Sequence, residues 1–304
     1  MKWIKKGLIY NLDGKSTWAK HTVLTPTPFL ISDEIIRIFA SFRDDYGRGR
    51  IGFIDVNAAN PKEIINVSSN PALDIGDPGT FDDNGLLLGD FVREENEIKM
   101  YYVGFQLVKN VKFLAYTGLA ISKDNGTSFD RFQTTPIMDR CSNALYIRAI
   151  HTVLKENNIY KIWYAVGNGW EYIKGIPYPQ YDIRYTESKD GIHFEDNVGI
   201  HCIGVEDNEY RIGRPRVKKS NGGYEMRYTF DTKNKEYIAG YAISNNGIDW
   251  ERKDNSAGLY KSKEGWDSEM LCYPVEIETK YGRYIFYSGN GMGLSGVGYA
   301  ILEK

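Results

Sequence analysis

Cysteine is scarce in this 304-residue chain: Cys141, Cys202 and Cys272 are odd in number, far apart, and form no Cys-x-x-Cys pair. A disulfide framework and a cysteine-built zinc site are thereby excluded. Histidine is scarce too, and His21, His151, His193 and His201 show no helical metal-ligand spacing. No phosphate loop, dinucleotide fingerprint or Ser-His-Asp arrangement is present, so neither a metal nor a cofactor is expected. Long apolar runs are missing. The start, Met1-Lys-Trp-Ile-Lys-Lys-Gly-Leu, lacks the apolar core of a signal peptide, and no segment is long enough to span a bilayer. The expectation is a soluble cytoplasmic protein, in which the sequons Asn66-Val-Ser and Asn125-Gly-Thr go unmodified. Charge of one sign is also missing: a net charge of −2 argues against nucleic acid or an anionic membrane as partner.

What the chain has is aromatic and apolar residues. A hydrophobic fraction of 42% is ample for a packed core, and 23 tyrosines beside few helical runs favour pleated, half-buried surfaces.

The clearest internal pattern is Gly118-Leu-Ala-Ile-Ser-Lys-Asp-Asn-Gly-Thr-Ser-Phe129, a strand, a polar turn and an aromatic plug. It returns at Arg184–Phe194 and at Gly240–Trp250. Self-similarity at such intervals signals repeated supersecondary units that stack to bury their apolar faces. Five units are expected, with strands at Thr25–Ile31, Ile35–Phe42 and Ile51–Val56, then Leu86–Val92, Ile98–Phe105 and Gly118–Ser122. The third has Ile147–Leu154, Tyr160–Val166 and, after a long insertion Gly167–Gln180 read as a loop, Asp182–Glu187. The fourth has Ile212–Lys218, Tyr224–Phe230 and Tyr237–Ser244, and the fifth Leu271–Ile277, Arg283–Ser288 and Gly296–Leu302. Five antiparallel sheets with short turns fit an all-β, five-bladed β-propeller, read as a single domain over residues 1–304. The last unit lacks an outer strand, which the orphan N-terminal segment Trp3–Tyr10 is expected to supply. A pair of β-sandwiches is the rival, but it does not account for five matching units.

The turn Ser188-Lys-Asp-Gly-Ile-His-Phe194, its counterpart Ser244–Trp250, and Phe81–Asp90 followed by Met100-Tyr-Tyr-Val-Gly104 carry a resemblance. So does the closing Tyr287–Ala300 segment. The chain resembles the five-bladed propeller glycosidase superfamily, which includes glycoside hydrolase family 43, families 32 and 68, and the family 130 mannoside phosphorylases. The resemblance implies that fold and a carbohydrate substrate. Family 32 proteins place a nucleophilic Asp before a Pro in the first inner strand; the matching stretch here is Thr25-Pro-Thr-Pro28. Their third-blade Arg-Asp-Pro falls on Arg148-Ala149-Ile150, and their fourth-blade acid on Gly213-Arg214-Pro215. All three carboxylates are missing in this register.

In a propeller, the loops feeding the inner strands surround one mouth of the channel. Glycoside cleavage normally needs two carboxyl groups there. Glu209, just ahead of an inner strand beside Arg211 and Arg214, is the expected acid. Asp267 and Glu269 enter the fifth unit and share a face by alternation with Leu271 and Tyr273. Substrate contacts are expected from His21, Asp83, Arg148, Arg211, Arg214 and Tyr273. Trp170 and Glu171, with Tyr178 and Tyr181, sit in the insertion, and Asn290 lies in a glycine-rich hairpin. His151, mid-strand, reads as a core or channel residue. Arginine forks suit carboxylate or phosphate oxygens, so the substrate expected is a small carbohydrate that is acidic, phosphorylated or nucleotide-linked. Ion pairing with Glu206, Glu209 or Asp267 is the other use for those arginines. The function expected is a glycoside hydrolase-like enzyme that cleaves or transfers a glycosyl group. A non-catalytic propeller that binds a glycan or a protein, and a mannoside phosphorylase-like enzyme, are the alternatives.

Overall fold

The computed structural model describes residues 1–195, 197–234 and 237–303. β-branched and aromatic residues in alternation make its regular secondary structure almost entirely strand. β1 is Trp3–Tyr10; β2 (Val23–Ser32), β3 (Ile35–Arg43), β4 (Gly49–Asn57) and β5 (Ile64–Val67) follow. Next come β6 (Leu86–Arg93), β7 (Ile98–Gln106), β8 (Leu114–Ser122) and β9 (Asp130–Arg131), then β10 (Ile147–Glu156), β11 (Ile159–Ile173), β12 (Ile176–Ser188) and β13 (Ile200–Ile203). The chain ends with β14 (Glu209–Ser220), β15 (Gly223–Thr232), β16 (Tyr237–Ser244) and β17 (Glu251–Arg252), then β18 (Cys272–Thr279), β19 (Gly282–Ser288) and β20 (Val297–Leu302).

These strands pair into one eight-stranded sheet and three four-stranded ones, with orders β2-β3-β4-β5, β14-β15-β16-β17 and β1-β20-β19-β18. The larger sheet is two antiparallel meanders joined only where β10 meets β8 in parallel, Ile147 opposite Ala115 and Arg148 opposite Tyr116. Trp3 pairs with Leu302, so the N-terminal strand does complete the last unit. One segment departs from expectation. Gly167–Gln180 is no loop but a continuation of the β11–β12 hairpin, paired from Gly169–Gln180 to Ile173–Ile176. Trp170, Tyr172 and Ile173 favour strand, and Lys174-Gly175, both at positive φ, make the tight turn such a hairpin needs.

The apolar clusters lie between successive units. Phe39 and Phe53 pack with Leu88 and Met100, Tyr101 and Leu119 with Ile150 and Ile162, and Trp163 and Ile183 with Met226 and Tyr228. Ile36 and Ile38 pack with Phe286 and Tyr299, joining the first unit to the last. The repeated turns lock the same interfaces. Ser122, Ser188 and Ser244 each accept a backbone N–H from the turn glycine, at 2.8, 2.9 and 2.9 Å. Those glycines, 126, 191 and 247, have φ of 81°, 72° and 79°. The aromatic of the preceding unit then seats on each turn: Tyr101 donates to the Gly191 carbonyl at 3.0 Å and Trp163 Nε1 to that of Gly247 at 2.7 Å. A side chain at Gly126 would meet Phe39. Among the described residues, no helix is long and apolar enough to cross a membrane.

Candidate functional site

The first strands of the five units, β2, β6, β10, β14 and β18, neighbour one another in a ring, with β18 against β2. Each is irregular within its length, β2 and β14 at a second place as well (Leu30/Ser32 and Glu209/Arg211). Register shifts fall at Leu24/Thr27, Leu88/Asp90, Ile150/Thr152, Gly213/Arg216 and Cys272/Val275. In three of them a residue ahead of a proline has left-handed backbone: Thr25 (φ 55°), Arg214 (58°) and Tyr273 (58°). Such backbone costs roughly 1–2 kcal/mol per non-glycine residue, and bulges commonly re-aim a side chain beside a site. Here Arg214 and Tyr273 are turned, with His151, toward a common cavity.

That cavity holds about 300 Å³. Leu24, Leu87, Val103, Phe113, Ile147 and Ala149 line its apolar side. Arg43, Lys112, Arg211 and Arg214 bring four cationic side chains, and Tyr178, Tyr181, Tyr237 and Tyr273 the phenols. Among the described residues, no carboxylate lines it. Arg214, 8% exposed, crosses the floor: its Nη1 donates to the Leu88 carbonyl at 2.5 Å and to His151 Nδ1 at 3.1 Å. Its Nε and Nη2 are buried with no partner among the described residues. Burial, then the repulsion of Arg216, lowers its pKa to about 9, so it is still a cation at neutral pH. His151 is pushed well below the usual imidazole value by burial and by Arg214 and Arg216. It is therefore neutral, and because Nδ1 accepts from Arg214, its proton sits on Nε2. Burial raises the pKa of Tyr237 and Tyr273, which remain hydroxyl donors. Arg211 is held by Asp231 at 2.6 Å and lies over the rings of Tyr181, Tyr210 and Tyr237. Lys112 sits over the Tyr178 ring at 4.2 Å. The wall donates hydrogen bonds and offers few acceptors.

Of the residues expected at the site, Arg211, Arg214 and Tyr273 meet in this cavity, with Tyr178 and Tyr181 from the insertion. The others do not line it. Glu209 is clasped by Arg252 at 2.8 and 2.9 Å. Asp267, 2% exposed, pairs with Lys5 at 2.5 Å and accepts from Tyr287 Oη at 3.0 Å. Glu269 is exposed, and the segment ahead of Cys272 is not strand, so alternation does not place these two carboxylates on one face. His21 reaches Asp45 at 3.0 Å, and Asp83 caps the Gly79 N–H at 2.8 Å. Arg148 ties the Asp139 and Asn197 carbonyls at 2.8 and 2.9 Å. Trp170 packs edge-on against Tyr146; Glu171 accepts from Gln180 at 2.9 Å. Asn290 accepts the N–H groups of Glu269 and Met270 at 2.8 and 3.0 Å, bracing that loop.

Arg43, Lys112 and Tyr237 were not legible as site residues. Arg43 ends β3, Tyr237 begins β16 and Lys112 lies in the loop between β7 and β8, segments that share no motif. The signal that was available is the X-Pro dipeptide at Thr25-Pro26, Arg214-Pro215 and Tyr273-Pro274, which marks the bulges.

No protein-family model matches the chain. It is 32% identical over 305 residues to the uncharacterized protein Rv1502 of Mycobacterium tuberculosis, covering all of both chains. Among solved structures, a thermostable family-43 glycoside hydrolase superposes with a TM-score of 0.68 at 15% identity, covering 95% of this chain and 91% of that one. A structure from the GH130 family of mannoside phosphorylases, which contains glycoside hydrolases targeting β-1,2 mannosidic linkages in Candida mannan, gives 0.68 at 13% identity, covering 99% and 93%. These likenesses show a shared fold.

Proposed function

This chain belongs to the same family as the Mycobacterium tuberculosis protein Rv1502 and has the fold of the propeller glycosidases, and from that premise we propose a carbohydrate-active protein that takes an anionic sugar into the cavity floored by Arg214. The five units are read as the blades of one propeller forming a single domain, a reading supported by the ring of first strands and the β1–β20 pairing. The observation that carries the functional reading is a cavity wall with four cations and, among the described residues, no carboxylate. A neutral sugar needs acceptors for its hydroxyl protons, and this wall offers few; an acidic or phosphorylated sugar brings its own.

A second reading, glycosyl cleavage or transfer, is favoured by the same arginines. When phosphate is the leaving group, the C1–O bond breaks with its electron pair on phosphate oxygen, and guanidinium groups stabilise that charge without a carboxylic acid to protonate it. The incoming hydroxyl forms the new bond to C1, and its proton passes to the departing phosphate. The test is a thermal-shift panel at fixed ionic strength with glucose, glucuronate, glucose 1-phosphate and nucleotide sugars, followed by assay of stabilising ligands for sugar release. Stabilisation by the anions and not by glucose supports the reading. Equal stabilisation by glucose, or none by any anion, removes it. Binding without release makes the protein a receptor rather than an enzyme.

A further inference from the structure

The main cavity does not end at its Phe105–Phe113 wall. A second cavity of about 180 Å³ adjoins it, sharing Arg43, Leu87, Phe105 and Phe113. It adds Asn84, Ser41 and the backbone at Gly47, Gly49 and Gly85. Arg43 stands at the junction. Its backbone is fixed, the N–H donating to the Thr22 carbonyl at 3.2 Å and the carbonyl accepting from Lys20 at 2.8 Å. Its guanidinium makes no hydrogen bond or ion pair with any described residue.

The two chambers differ in chemistry. The larger is apolar and donor-rich, with Phe105 and Phe113 edge to face at 4.9 Å on the shared wall. The smaller holds the Asn84 side-chain amide, which makes no hydrogen bond to a described residue and can both donate and accept, as sugar hydroxyls require. Arg214, nine-tenths buried with two unpartnered nitrogens, lies on the floor of the larger chamber. A buried guanidinium is costly unless an anion or acceptor meets it.

We propose that the two cavities form one bipartite site for a glycosyl phosphodiester or diphosphate, a sugar joined through phosphate to an aromatic or apolar group. The sugar lies beside Asn84, the bridging phosphate faces Arg43 at the junction and Arg214 beyond it, and the aglycone lies along the apolar wall. This rests on the anionic-sugar reading above and narrows it: the anion is a bridge, not a terminus. A nucleotide and a prenyl carrier offer the same chemistry.

Calorimetric titrations distinguish them, using UDP-glucose, UDP-galactose, GDP-mannose, farnesyl phosphoglucose, glucose 1-phosphate, uridine and inorganic phosphate. They are repeated on Arg43→Met and Asn84→Ala, with circular dichroism to confirm folding. Arg43 holds no other described side chain, so its loss spares the scaffold, whereas Arg214 joins three strands. At least one bridged ligand is expected to bind tenfold or more tightly than glucose 1-phosphate. Arg43→Met is expected to remove at least tenfold of that affinity, and Asn84→Ala to weaken the bridged ligand but not its sugar-free half. The tighter of the nucleotide and farnesyl compounds names the carrier. Glucose 1-phosphate binding as well as every bridged ligand, or Arg43→Met binding like wild type, overturns the proposal while the anionic-sugar reading stands. If no anion binds, both fall.

Discussion

Asp267 was expected to act on substrate, yet its carboxylate is surrounded by structural partners. It pairs with Lys5 of the N-terminal strand at 2.5 Å, and the two side chains are 3% and 26% exposed respectively. Tyr287 donates to the same oxygen at 3.0 Å, and Lys5 also donates to Ser262 Oγ at 2.9 Å. The pair therefore fastens β1 to the loop that enters the fifth unit. Lys5→Met would leave a buried carboxylate with one hydroxyl donor, a loss of about 3–5 kcal/mol. Asp267→Asn keeps the shape and frees an ammonium that reaches water, so about 1–3 kcal/mol is expected. Urea unfolding of both single variants and the double variant measures this. The double variant should cost less than the sum, because neither partner is left stranded. Ligand affinity in Asp267→Asn should match wild type under conditions where the variant is folded. An Asp267→Asn protein within about 0.5 kcal/mol of wild type, but without ligand turnover, would refute the structural role and return Asp267 to catalysis.

Three further outcomes follow from the same contacts. Glu209→Gln weakens the two-point clasp with Arg252 and should cost about 1–3 kcal/mol in urea unfolding, with ligand affinity unchanged in calorimetry. Gly191→Ala puts a methyl group against Tyr101 and Tyr160 at φ 72°; about 1–3 kcal/mol is expected, while Gly222→Ala, with open space around it, should stay within about 0.5 kcal/mol. His151 is neutral when folded, with its pKa well below the ordinary 6.5. Below that pH the unfolded chain takes a proton that the folded protein refuses, so stability falls as pH drops from about 6.5 toward the folded value, by up to about 1.4 kcal/mol per unit. Equilibrium unfolding between pH 7 and 5 should show a shallower fall in His151→Gln.

The scaffold was legible because its signals are local. Ser122-Lys-Asp-Asn-Gly and its two relatives form turns through their own side chains and backbone, so similar words make similar geometry. Trp3–Tyr10 was legible as a partner for the last unit because that unit lacked a strand. The Trp170–Tyr178 stretch misled, since its length suggested a loop while its alternation made a hairpin. The candidate site was less legible. Glu209 and Asp267 stand at the entries of inner strands, but proximity in sequence says nothing of Arg252 or Lys5, which are 43 and 262 residues away. Arg43 and Lys112 reach the cavity only because segments from different units converge on it. Arg214 was found through its departure from a carboxylate pattern, and its bulge explains how it turns inward.

The most direct test is the position of a bound ligand. A crystal structure with glucose 1-phosphate or UDP-glucose should place phosphate oxygens within about 2.7–3.0 Å of a guanidinium nitrogen of Arg43 or Arg214, inside the cavity they line. Density for the sugar beside Glu209, Asp267 or Glu269 instead, or an unliganded cavity at saturating ligand, would contradict the account.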